Sequence, residues 1–151
     1  MEPFINWRDD WILGVDALDN QHQQLSESIN RLVLACHDYS ESDGGGREQR
    51  KAVLRELMDG LYESTREHFR FEESIMKKEA YPGYASHVRE HAMLLAELKS
   101  TFAGRLENDQ CNMDPDILRA LKAWFIGHVS HSDRAFAKYM ATGETAGTRD
   151  C

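Results

Sequence analysis

The chain has little proline, little cysteine and too little positive charge to balance its acids, and it contains no long apolar run. Its three prolines, Pro3, Pro82 and Pro115, leave long intervals in which nothing forces a helix to stop. No segment approaches the ~20 apolar residues needed to span a bilayer, so membrane insertion is not expected. Lys and Arg number 18 against 26 Asp and Glu, a formal net charge of −8. A phosphate backbone or an anionic membrane surface is therefore not an expected partner, which argues against nucleic-acid binding. The three cysteines, Cys36, Cys111 and Cys151, form no CxxC and are odd in number. That favours a reducing, cytoplasmic setting. The amino-terminal MEPFINWRDDW has acidic residues and no apolar core, so no signal peptide is expected.

What remains is organised by sparse, regular punctuation. A chain of 151 residues fits one domain, residues 1–151, and can bury a core without staples. Residues 1–18, with Pro3, Gly14 and two tryptophans, read as an irregular amino-terminal arm. SDGGG (Ser42 to Gly46) is a loop signal, and Pro82 ends a helix at or before Tyr81. Asp114 and Pro115 read as N-cap and first residue of another helix. Residues 141–151, small and polar, are expected to fray.

Four segments between these breaks carry a helical period. Leu25, Ile29, Leu32, Val33 and Cys36 form the first stripe, with His22 on the same face. The second runs through Leu54, Leu57, Met58, Leu61, Thr65, His68, Glu72, Ile75 and Met76. The third joins His87, His91, Leu94, Leu95, Leu98 and Phe102. In the fourth, Ile117, Leu121, Trp124 and His128 hold one edge, and Phe125, Val129 and Asp133 the other. No segment alternates with period two. The expected fold is all-α, an antiparallel up-down-up-down four-helix bundle. His22 lies near the start of its helix, His68 and Glu72 near the end of theirs, His87 and His91 near a start, and His128 and Asp133 near an end. Antiparallel packing puts start, end, start and end at one level, so these side chains meet in a single layer.

Five imidazoles and two carboxylates without partners would be costly there, at roughly 1–3 kcal/mol for each unsatisfied polar group and more for an unpaired charge. Cations satisfy them directly. They are too many for one four-coordinate zinc and suit two octahedral ions bridged by carboxylates, with imidazole compatible with iron. One spacing is awkward. His128 and Asp133, five apart, differ by about 140° around an ideal helix. Either Asp133 reaches in from the edge of the stripe, or the fourth helix carries a local bulge.

The series DNQH, HFRFEE, YPGYASHVREH and WFIGHVSHSD, with NW and GVDALD in the arm, closely resembles the bacterial hemerythrins from about Trp7 to Tyr139. The combined pattern H…HxxxE…HxxxH…HxxxxD is specific, whereas each piece alone is not. The resemblance implies a non-haem di-iron centre that binds O2 reversibly, for storage, transport or delivery, rather than an enzyme. Two Fe ions per chain are implied. His87, His91 and His128 would hold one, and His22 and His68 the other, which keeps a position open. Glu72 and Asp133 would bridge them with an oxo or hydroxo group. Trp124 and Phe125 would line an apolar O2 pocket. Glu73, five after His68, turns off the stripe. His37 reads as a solvated or capping residue, and His131 is not expected among the ligands. The loop around YSESDGGGREQR is longer than the family pattern and leaves room for a protein partner that consumes oxygen. The rival readings are an oxygen or redox sensing module and a di-iron oxidase or peroxidase. The latter class typically uses more carboxylates and paired ExxH motifs, which this chain lacks.

Overall fold

The computed structural model describes residues 4–40, 45–104 and 115–143, without the side chains of residues 40, 102, 103 and 115–118. Helix α1 spans Asp16–Ser40 and α2 spans Arg47–Lys78. Helix α3, Tyr84–Glu97, runs on into a wide π-helical turn, Leu98–Ala103. The fourth rod is α4 (Pro115–His128), a π-helical turn at Val129–Asp133, and α5 (Arg134–Thr142). Among the described residues there is no strand, and no helix is long and apolar enough to cross a membrane.

Contacts fix the directions of the rods. His22, early in α1, touches His68, late in α2, while Tyr39 at the far end of α1 carries the Arg47 guanidinium over its ring. Trp124 of α4 donates its indole N–H to the Leu94 carbonyl of α3 at 2.9 Å, one turn away from the contact between His91 and His128. Neighbouring helices are therefore antiparallel, as the loops require.

The expected stripes are the buried ones. Leu25, Ile29, Leu32 and Cys36 of α1, Leu54, Met58 and Leu61 of α2, Leu98, and Leu121, Trp124, Phe125 and Val129 of the fourth rod form one apolar cluster. Val33, Leu57 and Leu94 pack against it half-buried. Phe102 and Ile117 lie outside the described side chains. A second, smaller cluster joins Leu18, Met76 and Phe136. Leu18 is one turn before His22, Met76 one turn after Glu72, and Phe136 three after Asp133, so apolar layers close both sides of the polar one. Burying a side chain of this size contributes roughly 1.5–3 kcal/mol, which lets the bundle carry a polar layer between them.

Three expectations need correction or qualification. The arm is shorter than residues 1–18, because α1 begins at Asp16 and Leu18 is fully buried. Its entry is held by Asp19, whose carboxylate accepts from the backbone N–H of Leu13 and Gly14 at 2.8 and 3.0 Å. Cys36 is disulfide-bonded, so the expectation of reduced thiols does not hold there; its partner lies outside the described residues, as do Cys111 and Cys151. Cytoplasmic placement loses that support. Finally, Asp114, residues 42–44 of the loop and residues 144–151 of the tail lie outside the described residues, although α4 does begin at Pro115.

The rest of the arm is strapped onto the bundle. Asn30 accepts from the Ile5 N–H at 2.6 Å and donates to its carbonyl at 2.9 Å. Arg134 donates to the Asp10 carbonyl. At the α2–α3 turn, helix α2 stops at Lys78 and Ala80 takes a φ of 52°. Gly83 follows because a Cβ there would come within 2.8 Å of the Tyr81 ring.

Candidate metal centre

All seven expected side chains converge. His22, Glu72 and Asp133 are fully buried, and His68, His87, His91 and His128 are nearly so. Their donor atoms fall into two overlapping groups. Glu72, His87, His91, His128 and Asp133 offer atoms within 4.8 Å of one another, and so do His22, His68, Glu72 and Asp133. The two carboxylates belong to both groups, with three imidazoles on one side and two on the other.

The π-helical turn brings Asp133 in. An i→i+5 hydrogen-bonding pattern widens the helix and sets residues five apart nearly above one another. His128 Nε2 consequently lies 2.9 Å from Asp133 Oδ1. Of the two routes left open by the sequence, the bulge is the one the chain takes.

The distances suit ligands better than hydrogen-bonded neighbours. His22 Nε2 faces His68 Nε2 at 3.1 Å, and His91 Nε2 faces His128 Nε2 at 3.1 Å. His87 Nε2 is 2.9 Å from Glu72 Oε1 and 3.0 Å from Asp133 Oδ1. Atoms bound ~2.1 Å from one ion and at right angles stand ~3.0 Å apart, which matches these separations. Unpaired atoms add to the fit. Glu72 Oε2 and Asp133 Oδ2 are buried without a hydrogen-bond partner. Asp133 Oδ2 does lie 3.0 Å from His22 Nε2, but off the line of a hydrogen bond. Buried carboxylate oxygens left this way are costly unless a cation takes them up. The residues present fit a pair of metal ions.

Protons balance the charge in the metal-free cluster. Burial alone would lower His87, but its bonds to Asp133 and Glu72 outweigh that and raise it to about 9. His128 rises well above the usual histidine value against its burial, chiefly through Asp133. Burial lowers His68 to about 4 although Glu72 pulls the other way. Burial and the neighbouring Asp133 work to raise Glu72, yet hydrogen bonds from His128, His87 and His91 hold it at about 2. Asp133 is held well below the usual carboxylate range, its burial outweighed by His128, His22 and His87.

Outside the cluster, three acceptors hold imidazole rings by their far nitrogens. Gln21 Oε1 is 2.5 Å from His68 Nδ1, Glu73 Oε2 is 2.6 Å from His91 Nδ1, and Glu90 Oε1 is 3.0 Å from His128 Nδ1. Glu90 is itself oriented by the Ser132 hydroxyl at 2.5 Å. An acceptor at Nδ1 keeps the proton there and turns the Nε2 lone pair toward a metal. Sequence reasoning did not find these roles. Glu73 stands one residue after Glu72, and Glu90 one before His91, each a rung off the inward stripe. The Phe69 ring, stacked on His91 with centroids 3.8 Å apart and an interplanar angle of 3°, was also not anticipated. His37 and His131 are exposed and take no part.

Residues 13–140 match the family described as the Hemerythrin HHE cation binding domain. The chain belongs to the hemerythrin family. Among hemerythrin relatives, it is 27% identical over 131 residues to a bacteriohemerythrin of Stenotrophomonas maltophilia (strain R551-3), covering 87% of this chain and 78% of that one. It is 29% identical over 132 residues to a bacteriohemerythrin of Methylococcus capsulatus (strain Bath), covering 85% and 89%. A myohemerythrin of Riftia pachyptila is 25% identical over 131 residues, covering 87% and 88%. A crystal structure of a hemerythrin leucine-to-alanine mutant superposes with a TM-score of 0.71 at 20% identity, over 91% of this chain and 97% of that one. This last likeness speaks for the fold.

Beside the two-histidine half of the cluster lies a small cavity of about 10 Å³. His22, His68, His128 and Asp133 border it, and Leu25, Phe69, Trp124 and Phe125 are among its apolar walls. A space of that size holds one water-sized molecule.

Proposed function

We propose that the chain binds O2 reversibly at a di-iron centre, in which His87, His91 and His128 would hold one iron, His22 and His68 the other, and Glu72 and Asp133 would serve both. The observation that carries this reading is the small cavity on the side with two imidazoles instead of three. A pair of ferrous ions there would supply the two electrons that O2 binding draws and recover them on release. The protein's part is to hold and to shield. The imidazoles fill most positions, and the carboxylates tie both halves together. Gln21, Glu73 and Glu90 keep the rings in the ligating tautomer. Leu25, Phe69, Trp124 and Phe125 surround the guest with hydrocarbon and keep out water and protons.

The donor set supports binding over turnover. Five imidazoles and two carboxylates contrast with the carboxylate-rich sites of di-iron enzymes. Storage, delivery to an oxygen-consuming partner, and sensing all use the same site, and we place reversible binding before any of them. The test is iron content together with the visible spectrum. About two iron per chain is expected, with a band that appears in air and bleaches on deoxygenation through repeated cycles. A band that never forms, or forms once and does not reverse, overturns the reading.

A further inference from the structure

We propose that the Thr65 hydroxyl donates the hydrogen bond that holds a small guest in the cavity over His22 and His68. Thr65 lies on α2 one turn before His68 and is 1% exposed, and its side chain forms part of the cavity wall. Its Oγ1 is buried and has no hydrogen-bond partner. A threonine inside a helix ordinarily bonds its hydroxyl to a backbone carbonyl three or four residues back. Here it does not, so a buried donor stays uncommitted on a residue of the cavity wall.

Of the other polar atoms around the cavity, Asp133 Oδ2 also lacks a partner, but it is an acceptor and belongs to the candidate ligand set. Trp124 Nε1 is committed to the Leu94 carbonyl. His68 Nδ1 is committed to Gln21, and the His128 Nδ1 to Glu90. His22 Nδ1 also lacks a partner, but it sits across the ring from Nε2, the atom that faces His68 and Asp133. It therefore points away from any guest bound over that edge. That leaves Thr65 as the wall residue whose uncommitted hydroxyl can turn toward the guest's outer atom. The class of ligand is a diatomic or triatomic molecule whose terminal atom accepts a hydrogen bond, above all one that gains negative charge on binding. This inference rests on the reading of the site as a di-iron O2 binder, and it assigns the cavity's selectivity to one hydroxyl.

The experiment uses the full chain loaded with iron, as wild type, Thr65→Val and Thr65→Ser. The O2 release rate is read by mixing with an O2 scavenger, and azide affinity is read on the oxidised protein. Thr65→Val, equal in shape but without the donor, is expected to release O2 about tenfold faster and bind azide about tenfold more weakly, the effect of one hydrogen bond. Thr65→Ser, which keeps the donor, is expected to stay within about threefold of wild type. The infrared stretch of bound azide should shift between H2O and D2O in wild type and Thr65→Ser and not in Thr65→Val. Unchanged release and azide affinity in Thr65→Val overturn the proposal. Should Thr65→Val fail to load iron, the wild-type azide band decides, since a band insensitive to D2O overturns it. Failure of the wild type to bind O2 at all would refute the proposed function, and the azide arm would still judge Thr65. A purely structural threonine would lower the melting temperature of the metal-free chain when replaced by valine, whereas removal of an unpaired buried hydroxyl should leave it equal or higher.

Discussion

Loading metal into the metal-free protein should release about two protons per chain at pH 7.5. The perturbation is titration of the metal-free protein with ferrous ion under nitrogen. The count follows from charge balance. Glu72, held at about 2, and Asp133, held well below the usual range, are both ionised and fully buried. Two buried negative charges need two positive ones, and in the metal-free state His87, raised to about 9, and His128, raised well above its usual value, carry them. His68, lowered to about 4, is neutral at pH 7.5 and gives up nothing. Cations must displace the two protons, so the logarithm of the apparent affinity should climb about two units per pH unit near neutrality, and less steeply once pH passes the His87 value. Calorimetry in buffers of different ionisation enthalpy counts the protons directly. The signs also set a stability profile for the metal-free chain. As pH falls below 6.5, the unfolded chain takes up a proton that His68 refuses until about 4, and stability falls. As pH rises above 6.5, the unfolded chain loses a proton that His87 keeps until about 9, and stability falls again. Melting temperature should therefore peak near pH 6.5 and move once metal is bound. Release of well under one proton, or a melting temperature that rises steadily from pH 6.5 to 9, would refute the charge-balance reasoning.

Replacing either outer carboxylate by its amide, Glu73→Gln or Glu90→Gln, should weaken iron binding about 10- to 100-fold with the fold intact, measured by chelator competition alongside circular dichroism. The double variant should fall short of additivity, because His91 and His128 touch at 3.1 Å. Asn30→Ala removes both bonds to the Ile5 backbone and should cost about 1–3 kcal/mol, seen as a lower melting temperature. The same change should expose Trp7, whose ring lies 6.4 Å from that of His22, seen as a red-shifted fluorescence.

Most of the fold was legible because the helical period is strong and the breakers are few. Four stripes separated by SDGGG, Tyr81-Pro82-Gly83 and Asp114-Pro115 leave little choice but a bundle, and up-down alternation then places every inward histidine at one level. The seven inward side chains were legible for the same reason, since each lies on a stripe that is otherwise apolar. What stayed hidden depends on departures from ideal geometry or on the neighbours of the stripe. The five-residue interval from His128 to Asp133 marked an irregularity without saying which kind, and the π-helical turn resolves it. The turn at Leu98–Ala103 gave no such mark, because no polar residue pair there demanded an unusual spacing. Glu73 and Glu90 look like ordinary surface acids in the sequence, and only the packing of α3 between α2 and α4 turns them onto imidazole nitrogens. The start of α1 was set too late because Leu18 belongs to a second apolar cluster, closed by Met76 and Phe136 from the ends of distant helices.

The asymmetry of the cluster follows from where the chain supplies rigidity. On the three-histidine side, His87 and His91 come from consecutive turns of one helix, and His128 is clamped by Glu90 and Ser132. The Phe69 ring stacks flat on His91. On the other side, His22 and His68 come from different helices and meet edge to face, with ring centroids 4.7 Å apart. No third imidazole completes this half, and the wall beyond it is Leu25, Thr65 and Phe125 instead of a ligand. Trp7 of the arm covers the outer edge, with its ring 6.5 Å from that of Phe125. The small cavity therefore lies where the ligand set is incomplete, and its wall includes Thr65, whose hydroxyl lacks a partner. The cavity, the pair of imidazoles and the unpartnered hydroxyl all lie at this same edge of the cluster.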